Sequence, residues 1–209
     1  MSAEIQPDEV VSFWRHMQER FGTTTVNKAD AVEMQIVASV LDALGILDRE
    51  RFLKSFTTTL GRKIYTPFEA GRANDAWDLW DQMVVCVHEH QHVVQHDREG
   101  LSFEVSYVAD RAARARFEAE AYHSNLEMHF WRYGTTTRSR PLAELLHDYG
   151  CRPEDVEIAA HSLALANVSV RRGAVLNEST RAALDWLEKH VDWLHAHLSA
   201  SERAKDNAT

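Results

Sequence analysis

The chain has 209 residues, and its 32 acidic against 23 basic side chains give a formal charge of −9, which excludes the sequence-independent phosphate binding of a nucleic-acid protein. Apolar residues at 44% and charged residues at 26% exclude disorder as the main state, and the length suits one domain, expected over 1–200 with a polar tail at 201–209. No apolar run approaches the length of a membrane span, and the opening MSAEIQPDEVVSFW lacks a signal peptide's basic and apolar regions, so no membrane partner and a cytoplasmic location are expected.

Helical spacing through Val10, Val11, Trp14 and Met17 predicts a helix over 7–20, stopped near Gly22. A second is predicted over 29–44, with Val32, Ile36, Val40 and Leu44 on one stripe and Gly45 as its stop. The period then changes. Phe52, Lys54, Phe56, Thr58 and Leu60 alternate, Gly61 follows and RKIYTPF resumes, which predicts a hairpin or two short strands with Pro67 confining the second to an edge. A long helix is predicted from Asn74 or Asp75 to Gly100, then a less regular piece, LSFEVSYV. Asp110 is an N-cap for a helix over 111–133, with Gly134 behind it, and further helices are predicted over 141–149, 153–171 and 179–198. The expected class is α+β, predominantly helical, with one small antiparallel sheet ahead of the two long central helices.

Two cysteines, Cys86 and Cys151, rule out a disulfide scaffold and a thiolate zinc cluster, whereas twelve histidines direct attention to metal. His88-Glu89-His90-Gln91-His92 satisfies His-Glu-x-x-His on a predicted helix. At about 100° per residue, positions four apart are offset by only about 40°, so His88 and His92 can grip one zinc ion (Zn2+). Glu89 stands beside that face, within reach of a water, and His90 points away. His96 sits about 12 Å further along the axis than His88, too far to share its ion. Cys86 reads as a small buried apolar residue.

Catalytic zinc usually keeps three protein ligands, and the next helix offers Glu118 and Glu120. Ala115, Ala119, Tyr122, Leu126, Phe130 and Tyr133 form its apolar stripe, with Glu118 about 70° from the centre and Glu120 about 130° away, among Arg116, His123 and Glu127. Glu118 is therefore the expected third ligand, and Glu120, the alternative, reads as a solvated surface acid. Arg111, Arg114 and Arg116 are expected to pair with nearby acids at the surface.

A His-Glu-x-x-His helix, a strand before it and a later helix carrying Phe-Glu-x-x-Ala together resemble the gluzincin branch of the zinc metallopeptidases over residues 57–131. The resemblance implies a zincin-like fold, zinc on His88, His92 and Glu118, and hydrolysis of a peptide bond with Glu89 as general base. Tyr122 stands where that family usually carries an aspartate, so another acceptor, Asn125 or a backbone carbonyl, must orient a ligand imidazole. The resemblance also implies a protein or peptide substrate paired along the strand within 57–67. His147, Tyr149 and His161 are the candidates for an oxyanion donor.

Two other readings compete. Glu89-x-x-His92, Glu120-x-x-His123 and Glu144-x-x-His147 could supply a di-iron carboxylate site in a helical bundle. Alternatively, zinc could stabilise a peptide-binding module that does not cut.

Overall fold

The computed structural model describes residues 4–43 and 49–191. It is mostly helical, with a three-stranded sheet. The expected helix end at Leu44 and Gly45, the extension over 192–198 with Trp193, and the tail at 201–209 lie outside the described residues. No helix among the described residues is long and apolar enough to cross a membrane.

Helix α1 (Pro7–Phe21) begins with proline in its first turn and ends at Gly22, whose φ of 62° is left-handed backbone. Strand β1 (Thr24–Asn27) follows, then helices α2 (Val32–Ala43) and α3 (Arg49–Ser55), and strands β2 (Thr58–Leu60) and β3 (Lys63–Thr66). The sheet is mixed rather than antiparallel: β1 runs parallel to β3, β2 antiparallel to it, in the order β1-β3-β2. Pro67 does not mark an edge, because β3 is the central strand and ends at Thr66, before a ladder donor would be missed. The strand expected from Phe52 is instead mostly helix α3. Phe52 and Phe56 lie four apart, a spacing that suits a helix as well as an alternating strand, and Lys54 pairs with Glu50 one turn back. In α2 the part of the expected stripe whose side chains are described is reversed, those of Val40 and Leu44 lying outside the description. Val32 and Ile36 are 71% and 61% exposed, while Ala31, Met34 and Ala38 turn inward.

Helix α4 (Leu79–Glu99) starts later than its sequence pattern, because Asn74 folds its side chain onto the N–H groups of Ala76 and Trp77 and Asp78 caps the helix. It packs against α1, α6 (Arg111–Tyr133), α9 (Glu178–His190) and β2, so even its polar side chains are largely buried. The segment LSFEVSYV is helix α5 (Ser102–Ala109). Asp110 then caps α6 as expected, accepting from the N–H of Ala112 at 2.9 Å. Residues 139–149 form α7 (Ser139–Glu144) and a 3-10 turn (Leu145–Tyr149), and α8 (Pro153–Val170) follows.

The stripe of α6 from Ala115 to Leu126 packs on α7 and α8, while α4 and α9 cover its other side. That second contact buries Glu127, which sequence spacing places on a polar face. Its carboxylate accepts the backbone N–H groups of Leu176 and Asn177, tying α6 to the start of α9. Burial raises its pKa from 4.5 to about 7, since those two donors only partly replace water. The folded state therefore binds this proton more tightly than the unfolded chain, and the associated stability is present in full below pH 4.5 and lost as pH rises to about 7. Glu127→Gln keeps an acceptor for both N–H groups without the charge. Thermal unfolding across pH 5 to 8 should show a flatter pH dependence for the variant and, above pH 7, a gain of up to about 3 kcal/mol.

Candidate metal centre

Helix α4 carries His88 and His92 on one face, and α6 carries Glu118 opposite them. All three side chains are buried, and their ligand atoms lie within 4.8 Å of one another. His88 Nε2 is 3.4 Å from Glu118 Oε2, and His92 Nε2 is 3.4 Å from Glu118 Oε1. Both distances exceed a normal hydrogen bond. This is the one group of three or more His, Cys, Asp or Glu side chains among the described residues that is arranged to hold a metal ion.

The far side of each ring fixes what the near side offers. His88 Nδ1 donates to Asn125 Oδ1 at 3.2 Å, and His92 Nδ1 donates to Gln95 Oε1 at 2.8 Å. The Gln95 amide is itself oriented, because its Nε2 donates to the Phe117 carbonyl at 2.9 Å. With Nδ1 donating to these amide oxygens, each ring turns its Nε2 toward Glu118. Among the described residues, Glu118 Oε2 has no hydrogen-bond partner. Two ring nitrogens and a carboxylate thus converge in a buried space, an arrangement that calls for positive charge, supplied by a proton on an imidazole or by a metal ion. Burial alone would lower the His92 pKa, but the charge of Glu118 outweighs it and raises the value to about 9. Burial likewise would raise Glu118, yet the imidazoles hold it well below the usual carboxylate range. A metal ion meets the same electrostatic demand and matches the donor set.

Glu89, also buried, is held by the strand in front of α4. Thr57 donates to Glu89 Oε1, and Thr59 of β2 donates to Oε2 at 2.6 Å. His88 and Glu89 line one cleft of about 300 Å³, walled by Phe56, Trp77, Val85, Tyr122 and Tyr149 among others. Its surface mixes apolar walls with a few convergent polar groups, as small-molecule and peptide sites do.

The remaining sequence candidates separate clearly. Glu120 does not reach the centre; it accepts from Arg98 and from Gln91, each at 2.9 Å, and is held between helices rather than free in solvent. His90 faces the α1 side, donating from Nδ1 to the Cys86 carbonyl and accepting at Nε2 from Thr23, and burial lowers its pKa to about 4. His96 pairs with Glu104 at 2.5 Å. Tyr149 lines the cleft, whereas His147 and His161 are exposed, and neither lines it. Glu144 and His147 are likewise exposed and Glu120 is taken up by Arg98 and Gln91, so among the described residues no two Glu-x-x-His pairs converge as a di-iron site requires. Asn125 supplies the acceptor that the resemblance demanded in place of aspartate.

Sequence reading did not single out Thr59, Gln95 or Tyr107. Gln95 could have been found three residues after His92 on the same face. Tyr107 could not, because nothing in LSFEVSYV indicates what its hydroxyl meets. Tyr107 donates to Glu118 Oε1, and burial followed by the Glu118 charge pushes its phenol well above the usual value, so it remains a donor.

Metal analysis of purified variants checks the centre. Glu118→Ala should lose the ion, whereas Glu120→Ala should retain it at the parent stoichiometry. Comparison with protein-family models, with curated protein sequences and with solved structures finds no match to this chain.

Proposed function

We propose that the chain is a zinc-dependent metallopeptidase that hydrolyses a peptide or similar amide bond. The observation that carries this reading is the junction of two features: a buried His88, His92 and Glu118 donor set, and Glu89 next to His88 on the cleft that these two residues line. The set of two imidazoles and one carboxylate suits zinc with a position left for solvent or substrate. Zinc bound there would supply Lewis acidity to a carbonyl and to water.

The chain's own residues account for the rest. Glu89 takes a proton from the attacking water and returns it to the leaving amine. Thr57 and Thr59 fix its carboxylate, using two of about four lone-pair sites and leaving the others for that proton. Of His147, Tyr149 and His161, Tyr149 is the one that lines this cleft, and burial keeps its O–H protonated, which supports it as the donor to developing oxyanion charge. β2 is an edge strand running along α4, which supports an extended substrate pairing with it. The strand, the His-Glu-x-x-His helix and the glutamate helix occur in zincin order, which supports a zincin-like arrangement despite the mixed sheet.

One observation favours the non-cutting alternative: both Glu89 oxygens already carry a threonine hydroxyl. A single comparison decides between them. Zinc-loaded parent protein should cleave an internally quenched peptide library, and Glu89→Gln should lower kcat by about 10²–10⁴-fold with zinc content unchanged. A parent that binds zinc but never cleaves supports the binding module instead.

A further inference from the structure

Helix α5 has an unusual balance for so short an element. Leu101 just before it and Val105 and Val108 within it are 81%, 67% and 73% exposed. Its attachment is therefore made by the opposite face. Phe103 is buried edge-on against Phe117 at 4.8 Å, and the Tyr107 ring lies 6.0 Å from that of His92. The Tyr107 hydroxyl ends on Glu118 Oε1, and the other oxygen, Oε2, is the one left without a hydrogen-bond partner.

Tyr107 is held in turn from α6. Arg114 precedes Glu118 by four residues and so lies on the same helix face. Its Nε donates to the Tyr107 carbonyl at 2.8 Å and its Nη2 to the Val108 carbonyl at 2.7 Å. Its Nη1 donates to the Tyr149 carbonyl at 2.6 Å, and the guanidinium lies 5.7 Å from the centre of the Tyr107 ring. The sequence reading expected Arg114 to pair with surface acids; it binds three backbone carbonyls instead. Those carbonyls belong to the last turn of α5 and to the turn carrying Tyr149. A lysine could not reproduce this, since the planar fork is what spans several acceptors at once.

We propose that Tyr107 is a positioning residue of the metal centre: its hydroxyl occupies Glu118 Oε1, turning Oε2 to the ion, and Arg114 acts through it by fixing the last turn of α5. This rests on the metal-binding part of the function proposed above. A residue that only filled space beside Glu118 would be replaced by phenylalanine at no cost to metal affinity, because the ring contacts survive. A group that orients a ligand carboxylate would not be, since lost outer contacts typically weaken metal binding by about 10–100-fold.

The experiment measures zinc affinity by competition with a chromophoric chelator for the full chain, Tyr107→Phe, Arg114→Lys and the double variant, with cobalt(II) absorption as a second readout. Tyr107→Phe should bind zinc about 10–100-fold more weakly. Its cobalt spectrum should weaken as Oε1, freed of its donor, joins the coordination. Arg114→Lys should lose affinity in the same direction, and the double variant should be no weaker than Tyr107→Phe alone, since the arginine acts through the tyrosine. Unchanged affinity and spectrum in Tyr107→Phe overturn the proposal while leaving the zinc reading intact. Additive losses overturn the role of Arg114. Failure of the parent to bind zinc removes both readings. Should Tyr107→Phe not fold, Arg114→Lys decides alone: about tenfold weaker binding supports the proposal and parental affinity contradicts it.

Discussion

Two imidazole nitrogens and a carboxylate converge in a buried space, and the surrounding structure is organised around that convergence. Any one of these groups could be buried neutral or paired at modest cost, but three acceptors aimed at one point need positive charge among them. Asn125 and Gln95 sharpen the requirement, because by accepting from Nδ1 they disfavour the neutral tautomer in which either ring would donate toward Glu118, leaving an added proton or a metal ion to supply the charge. The centre is thus determined by amides one layer out as much as by its own three members.

The fold supplies that layer by burying a helix whose sequence is polar where a core helix is normally apolar. Helix α4 places Gln91 and Gln95 inside, and each finds partners on neighbouring elements. Gln91 donates to Glu120 and accepts from the Ser179 hydroxyl at 3.0 Å, joining α4 to α6 and α9, while Gln95 reaches the backbone of α6. His90, on the opposite face, anchors α4 through Thr23 to the segment between α1 and β1. The relative height and rotation of α4 and α6 are fixed by these bonds, so the distance between the histidines and Glu118 is set by the frame rather than by the site's own contacts. On the open side, Thr59 of β2 and Thr57 just before it contribute hydroxyls to Glu89, and the turn after α7 contributes Tyr149.

Much of this was legible in the sequence where the governing rule is local. The limits of α1 and α6 and the end of α4 follow from capping residues and glycines, and helical rotation alone separates Glu118 from Glu120 across α6. Legibility failed where the outcome depends on what an element meets. Phe52 and Phe56 fit two periods, and packing against the Lys28 region selected the helix: Lys28 Nζ lies over the Phe52 ring at 3.7 Å. Strand order could not be read from Pro67, because a proline one residue past a strand says nothing of its neighbours. Glu127 reads as polar until α9 covers it. Arg114 and Tyr107 have no pattern of their own, since their partners are backbone carbonyls and a carboxylate that only the folded chain brings near.

The most direct measurement is X-ray absorption at the zinc edge of the zinc-loaded protein, which reports the atoms around the ion without reference to activity. The account requires the multiple-scattering signature of two imidazole rings, with nitrogen and oxygen donors alone at about 2.0 Å. A sulfur shell at about 2.3 Å, or scattering from fewer than two imidazoles, would contradict it.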